Sequence, residues 1–180
     1  MIPVTLTTPR LVLDQPTSAD STVIAEYCTD PVFEINMTTP WPYELKHATH
    51  FVSDYVPMGW RTGEEYTWAI RSDGVFLGMV GYRVPSGMIG YWLGAPHRGQ
   101  GIMTEAATAV VDWLFSVGIP SLGWECIPGN TASVSVARKL GFTFLGLRDA
   151  LVPDRDGSTP PVWQAALASN DDRSEKPGWP

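Results

Sequence analysis

The chain has 180 residues, of which 44% are hydrophobic and 17% are charged, and its formal net charge is −7. This length and composition fit one globular domain and exclude an intrinsically disordered chain, which would have few aromatic residues. The acidic balance argues against a general nucleic-acid binder, and no apolar run reaches the ~18 residues of a membrane span.

Two features of the sequence predict a cytoplasmic protein. The first residues, Met1 to Thr5, lack the basic and apolar segments of a secretion signal. The two cysteines, Cys28 and Cys126, could form at most one disulfide, which a core of this size does not need. We therefore expect both thiols to be reduced, and we expect no membrane partner.

The N-terminal part of the chain predicts one strand and two helices. Residues 10–14 have the pattern of an opening strand. Thr17 and Asp20 then stand at capping-box spacing before a first helix, which Pro31 helps to end. The prolines within residues 39–43 predict a turn. A second helical face follows it at Ala48, Phe51, Val52 and Tyr55.

The middle of the chain predicts a three-stranded antiparallel meander and a long helix. Residues 66–71, 75–84 and 88–93 are strand-like, and Ser72-Asp73-Gly74 has the composition of a hairpin turn. The apolar period then changes from that of a strand to that of a helix, which ends near Gly118. The apolar face of this helix consists of Met103, Ala106, Ala107, Val110, Val111 and Leu114.

The C-terminal part of the chain predicts three more strands and one helix. The strands lie at 122–127, 142–147 and 162–167, and the helix covers 130–140 with Gly141 as a left-handed cap.

These elements predict one domain over residues 1–168, of mixed α and β order. The remaining residues, 169–180, form a polar tail that we expect to be loose.

The clearest signal of a binding site lies between residues 93 and 106. A strand there runs into a loop that contains Gly99 and Gly101, and the long helix follows directly. Glycines permit close backbone approach and unusual dihedral angles, and the N–H groups at a helix start attract anions. The pattern predicts a diphosphate cradle, although two such glycines also occur in ordinary turns. A Rossmann loop fits less well, because its third glycine would fall on Thr104.

A second stretch strengthens this prediction. Asn130 and Ser133 begin a helix that ends in Gly141-Phe142. Together with the run Arg98-Gly99-Gln100-Gly101-Ile102-Met103-Thr104-Glu105-Ala106, it resembles the RimJ/RimL-type branch of the GNAT acyltransferase superfamily. The opening at residues 8–13 and the turn at 41–43 also match that branch, so the resemblance spans about residues 8–167. Met103 departs from the superfamily's common loop, as is usual in this branch.

The resemblance implies an α+β fold, in which a splayed, mixed and mostly antiparallel sheet of about six or seven strands is flanked by about four helices. Acetyl-CoA would lie between the strand at 88–93 and the strand at 122–127, and no metal is implied. Carried over residue by residue, its pantetheine would contact Leu93, Gly94, Ala95 and Asn130. Its pyrophosphate would contact Arg98, Gly99, Gln100, Gly101, Ile102 and Met103.

The resemblance also suggests two catalytic residues. An amine must be neutral to attack a thioester, so a base is useful. Related RimI-type enzymes carry a proposed base at the position of Glu125, although a carboxylate that merely lines the cleft is an alternative. Many members of the superfamily have a tyrosine where Ala137 stands here, and that tyrosine protonates the departing thiolate. In the RimL-like branch a serine at the position of Ser133 has been given that task, although a serine at a helix start is also a common cap. Glu105, in the first turn of a helix, is explained by the helix dipole.

We therefore predict an acetyl-CoA-dependent N-acetyltransferase that acts on a protein N-terminal amine or a small-molecule amine. The net charge of −7 favours a cationic acceptor. Aromatic residues such as Trp41 and Trp92 could line its pocket, but we expect most of them in the core, with Trp124 bordering the reaction site. A homodimer is left open. The alternative is a non-catalytic acyl-CoA-binding module, which Ala137 would favour.

Overall fold

The computed structural model describes residues 2–180, which form one eight-stranded sheet and a set of helices. The strands are β1 (Leu6–Thr7), β2 (Val12–Asp14), β3 (Glu65–Ser72), β4 (Val75–Arg83), β5 (Met88–Leu93), β6 (Ser121–Cys126), β7 (Thr143–Asp149) and β8 (Pro161–Ala168). The helices are α1 (Ser21–Tyr27), α2 (Val32–Asn36), α3 (Leu45–His50), α4 (Val56–Thr62), α5 (Ile102–Ser116) and α6 (Thr131–Lys139). A π-helical turn, Phe51–Tyr55, joins α3 to α4.

The strand order is β1-β2-β3-β4-β5-β6-β8-β7, and every neighbouring pair is antiparallel except β5 and β6. The predicted meander and the mixed, mostly antiparallel sheet are confirmed. The strand number is eight rather than six or seven, because the sequence pattern did not reveal β1, which has only two residues. With α3 to α4 taken as one helix there are five helical segments rather than four, the additional one being α2 after Pro31.

Alternating side chains divide the core between the two faces of the sheet. On β3, Trp68 packs in the cluster of buried residues that includes the apolar face of α5. Ala69 packs in a second cluster, on the opposite face, that includes residues of α1 and α3. The apolar face predicted for α5 is buried as expected, from Met103 to Leu114. None of the helices within residues 2–180 has the length and apolar character needed to cross a bilayer.

The C-terminal tail is not loose, so that expectation is wrong. The Arg173 guanidinium donates to the Leu140 carbonyl and pairs with Asp112. Farther along, the Trp179 ring packs against the rings of Trp124 and Phe144, with centroid distances of 5.6 and 5.3 Å. The polar composition of residues 169–180 hid the one large apolar side chain that docks this segment.

A buried ion pair fastens α1 to the sheet. Arg71 on β3 donates from both terminal nitrogens to the Asp20 carboxylate, at 2.8 and 2.7 Å, and its Nε donates to Asp14. Burial alone would raise the pKa of Asp20, but hydrogen bonds from Arg71 and Thr17 outweigh burial, and the net shift is downward. A lowered pKa means that this pair stabilises the fold above ~pH 4 and that its contribution is lost as pH falls.

Replacing Arg71 with Met leaves the Asp20 carboxylate buried without its cation. We expect the free energy of unfolding, measured by urea titration at pH 7, to fall by about 3 kcal/mol. The matched control is Arg83→Met, which breaks a pair with Glu65 in which the arginine side chain is 44% exposed. That control should cost less than about 1 kcal/mol. Equal losses in the two variants would contradict a special role for the buried pair.

Candidate active site

The sheet opens between β5 and β6. These two parallel strands are paired in register only at Met88 and Gly123 within residues 2–180, and the Gly123 N–H donates to the Gly87 carbonyl at 2.8 Å. A Cβ at position 123 would overlap the Met88 sulfur, so the Met88 side chain would have to move if another residue stood there. Beyond this point β5 stays paired with β4, and β6 stays paired with β8. The two halves of the sheet therefore diverge towards Leu93 and Cys126.

The chain leaves β5 at the open end and forms a glycine loop before α5. Gly99 and Gly101 have φ values of +76° and +74°, in the left-handed region that favours glycine. A Cβ built on Gly99 would meet no atom within 4 Å, and one on Gly101 would meet only the Arg10 guanidinium, at 3.6 Å. The N–H groups of the first turn of α5 have no acceptor within the helix. The loop thus presents backbone donors in open space at the positive end of a helix dipole.

Hydrogen bonds from the N-terminal segment stabilise this loop and the first turn of α5. Arg10 donates from Nη1 to the Gln100 carbonyl at 3.2 Å and pairs through Nε with Glu105 at 2.6 Å. Thr8 also donates to Glu105. Burial would raise the pKa of Glu105, but the bonds from Thr8 and Arg10 lower it overall, so the carboxylate stays ionised. Glu105 therefore has a structural role, as the sequence indicated.

The Arg98 side chain turns towards the helices rather than into the loop. Its Nε donates to the Leu93 carbonyl at 3.0 Å, and its Nη1 pairs with Asp30 at 2.9 Å. Beside it, the Tyr27 hydroxyl lies 2.8 Å from His97 Nε2, and a Cβ on Gly94 would lie 2.5 Å from the Tyr27 ring. The start of the loop is therefore packed tightly against α1.

Across the opening, Asn130 and Ser133 lie at the start of α6. The Asn130 side chain caps the helix by accepting from the Ser133 N–H at 3.2 Å. The Ser133 hydroxyl accepts from the Trp124 indole N–H at 3.1 Å and donates to the Tyr91 hydroxyl at 3.3 Å. Tyr91 itself donates to the Ser133 carbonyl at 3.0 Å, and burial raises the pKa of its phenol. Ser133 thus contacts both strands that border the opening.

Sequence reasoning did not single out Tyr91. The usable signal was the alternation along β5, because Tyr91 is two residues from both Ile89 and Leu93, which belong to the same core as α5 and α6. That signal gives the face of the sheet. It does not give the contact with Ser133, which depends on where α6 returns.

Glu125 lies on the other face of β6 from Trp124. Its two carboxylate oxygens accept from the backbone N–H groups of Leu151 and Val152, each at 2.9 Å, and the Gln164 amide donates to it at 3.2 Å. A carboxylate has about four acceptor positions, so three of them are in use. The structure therefore gives Glu125 an anchoring contact with the β7–β8 connection, and it separates Glu125 from Ser133 by the thickness of a strand.

Arg155 ties the same connection to α2. Its guanidinium donates to the carbonyls of Phe33, Met37 and Thr39, at 3.0, 2.6 and 2.6 Å. The Phe33 ring packs edge-on against Trp92 of β5, at 5.3 Å. The β7–β8 connection therefore links the β6 side of the opening to the β5 side on the face that carries Glu125. Sequence reasoning missed Arg155, since a lone arginine in a loop carries no signal of its partners.

Two concave regions lie on the surface near these elements. A cavity of about 220 Å³ lies at the closed end of the opening and is lined by Met88, Gly123, Leu151 and Gln164, among others. A larger, open groove of about 590 Å³ lies between β1 and α5, away from the opening.

Four further aromatic residues that could have lined an acceptor pocket, Tyr43, Trp60, Tyr66 and Trp68, are accounted for by packing. Trp60 and Trp68 are fully buried, and Tyr43 and Tyr66 are each 8% exposed. They are core residues, as expected for most of the aromatic set. Both cysteines are free, and burial raises the pKa of each thiol to about 12, so neither is a thiolate at neutral pH.

Comparisons with known proteins bear on this geometry. Residues 10–143 match the family model described as the acetyltransferase (GNAT) domain. The probable N-acetyltransferase YjcK of Bacillus subtilis (strain 168) is 35% identical over 88 residues, which cover 44% of this chain and 49% of YjcK. The chain thus spans about half the length of that relative. The N-acetyltransferase p20 of Bacillus licheniformis is 26% identical over 152 residues, which cover 79% of this chain and 84% of p20.

Solved structures agree with the fold. RimL, a ribosomal L7/L12 alpha-N-protein acetyltransferase in complex with CoA, aligns with a TM-score of 0.79 at 19% identity, over 92% of this chain and 98% of its own. The microcin C7 self-immunity acetyltransferase MccE, in complex with acetyl-CoA and AMP, aligns with a TM-score of 0.75 at 18% identity, over 89% and 93% of the two chains. The family match covers most of the chain, and the fold agrees with it: the chain belongs to the GNAT family of acetyltransferases.

Proposed function

We propose that this protein transfers the acetyl group of acetyl-CoA to a primary amine. The observation that carries the proposal is the opening between β5 and β6, with the glycine loop at its mouth and with Glu125 and Ser133 on opposite faces of β6. A non-catalytic acyl-CoA-binding module is not favoured, because the relatives YjcK and p20 are both named as N-acetyltransferases.

The residues present fit acetyl-CoA. The space in front of Gly99 is one that a side chain would fill, and the donors around it are backbone N–H groups at a helix start, which suit a diphosphate. We assign the pyrophosphate to the backbone of Arg98 to Met103, and the pantetheine to Leu93, Gly94, Ala95 and Asn130. The Arg98 side chain is left out of this assignment, because its guanidinium is already paired with Asp30.

We assign the two proton-handling roles to residues on opposite faces of β6. Glu125 would accept the proton that the acceptor nitrogen loses, through its remaining acceptor position or through one water. Ser133 would donate a hydrogen bond to the sulfur as the carbon–sulfur bond breaks. Because the donor lies in the gap between two strands, residues on opposite faces of the sheet can reach its reacting atoms.

An N-terminal α-amino group is the acceptor that we favour. Its pKa of ~7.7 to 8.0 leaves much of it neutral near pH 8, whereas a lysine amine at ~10.4 is mostly charged. RimL, whose fold is shared, acts on a protein N-terminus by its name. The net charge of −7 adds a general attraction for cationic acceptors. We also place the protein in the cytoplasm, where its two free thiols stay reduced. A homodimer stays a prediction.

A thiol-release screen with acetyl-CoA tests the proposed activity. We expect turnover with peptides that carry a free N-terminal amine, and less or none with polyamines, aminoglycosides and free amino acids. The same peptides with a blocked N-terminus serve as controls and should give only background hydrolysis. If only hydroxyl-bearing or anionic acceptors react, both N-acetylation and the electrostatic preference are wrong.

Changing Gly101 to Val tests the cradle. A side chain at this positive φ is strained by about 1 to 3 kcal/mol and crowds the N–H groups of α5. We expect the Kd of CoA, measured by calorimetry, to rise at least roughly tenfold, an effect of ~1.4 kcal/mol. Gly118→Val is the matched control, because Gly118 has a φ of +92° at the other end of the same helix. It should lower thermal stability similarly and leave the Kd unchanged. A folded Gly101→Val variant with normal affinity would remove the assignment.

Changing Glu125 to Gln distinguishes a catalytic base from a carboxylate that only anchors the β7–β8 connection. A base predicts a fall in kcat of ~10²-fold or more, a flatter acidic limb of the pH profile and a smaller loss with an acceptor amine of lower pKa. The matched variant is Arg155→Met, which releases the same connection from α2 and keeps the carboxylate. That variant should raise the KM of the acceptor while the pH profile is unchanged. If Glu125→Gln behaves like Arg155→Met, Glu125 is an anchor and the base lies elsewhere.

A further inference from the structure

The Ser133 hydroxyl is held from both sides of the opening. Trp124 reaches it from β6 and donates to its oxygen at 3.1 Å, while the Tyr91 hydroxyl reaches it from β5 and accepts a hydrogen bond from it at 3.3 Å. The two strands pair only at Met88 and Gly123, so this three-residue contact is a second connection between them, made through α6.

The geometry of the indole is fixed by its surroundings. Trp124 is 1% exposed, and the Trp179 ring meets it nearly edge-on, with a centroid distance of 5.6 Å. The backbone of Ser133 is fixed independently, because the Asn130 side chain accepts from its N–H. The direction of the N–H···Oγ bond is therefore set by packing that comes from β6, from α6 and from the C-terminal segment.

The two hydrogen bonds of the hydroxyl differ in kind. The indole N–H occupies a lone pair of the Ser133 oxygen, which polarises the O–H group and makes it a better donor. The bond from this O–H to Tyr91 is long for two hydroxyl oxygens, which usually lie ~2.7 to 2.8 Å apart, so it is the weaker bond and the easier one to replace. The Ser133 oxygen is therefore fixed in position, while its O–H group can exchange the hydrogen bond to Tyr91 for one to another acceptor.

We propose that Trp124 is a positioning residue that aims the Ser133 hydroxyl at the sulfur of the bound thioester. The inference rests on the proposed acetyl transfer. The acceptor nitrogen forms its bond to the acetyl carbon with its lone pair, and the bond between that carbon and the sulfur breaks. The electron pair of the broken bond goes to the sulfur, and the redirected Ser133 O–H stabilises that charge. The proton that the sulfur finally takes balances the proton that the acceptor nitrogen loses.

A binding measurement tests the contact without catalysis. The affinities of CoA and desulfo-CoA, which lacks the thiol, are compared by calorimetry at pH 9, where part of the thiol is ionised. A hydrogen bond to the sulfur predicts that the wild-type protein prefers CoA by roughly tenfold. The preference should fall to about one in Ser133→Ala and to an intermediate value in Trp124→Phe.

Steady-state kinetics test the same contact in turnover. Trp124→Phe keeps the ring and removes the N–H, and we expect kcat to fall about 5- to 30-fold with little change in the KM of acetyl-CoA. In a Ser133→Ala background the same change should add no further loss, because the two residues act as one unit. Trp68→Phe is the matched control, since Trp68 is also fully buried and donates its N–H to the Val4 carbonyl. It should leave kcat unchanged.

The possible results distinguish a failure of the positioning role of Trp124 from a failure of the proposed acetyl transfer. Equal losses from Trp124→Phe in the presence and absence of Ser133 would show a structural role and overturn the inference, as would an unchanged kcat. Full activity in Ser133→Ala overturns the inference and leaves acetyl transfer standing. If the wild-type protein acetylates no amine, the proposed function fails, and the CoA preference still decides whether Trp124 positions Ser133.

Discussion

The single parallel contact between β5 and β6 is the constraint on which the rest of the site depends. At this contact Gly123 leaves room for the Met88 sulfur, which would have to move if residue 123 carried a side chain. Beyond it, each strand is paired along its length with its outer neighbour and not with the strand across the gap. The sheet consequently leaves two strand edges free to face each other. Such edges are a liability on a surface, and here they border the gap that we propose as the donor site.

The elements around the gap are fastened to one half of the sheet or the other. Arg10 and Glu105 hold the glycine loop on the β5 side, and Asn130 holds the start of α6 on the β6 side. Connections across the gap are few: Ser133 reaches both strands on one face, and Arg155 links the β7–β8 connection to α2 on the other. Glu125 and Ser133 thus lie on opposite faces of β6, and each is fixed by its own set of hydrogen bonds.

Much of this arrangement could be predicted from the sequence, and the reason is local. The meander, the apolar face of α5 and the left-handed glycines at 99, 101 and 141 follow from period and turn chemistry over short windows. The glycine loop before α5 could be predicted because its residues are contiguous, and its role as a diphosphate cradle stays a prediction. The anchoring of Glu125 by Leu151 and Val152, the contact between Tyr91 and Ser133, and the docking of Trp179 join residues that are far apart in the chain. No pattern in one sequence encodes such partners, so these contacts required the fold.

Hydrogen exchange of the backbone amides, with and without CoA, tests most directly whether the gap between β5 and β6 is the donor site. We expect slower exchange in residues 93–103 and 126–133 when CoA is present, with β1, β2 and β7 unchanged. A different pattern would contradict it: protection confined to the groove of about 590 Å³ between β1 and α5 would place the ligand elsewhere. Unchanged exchange in the glycine loop at saturating CoA would likewise show that the opening does not hold the acyl donor.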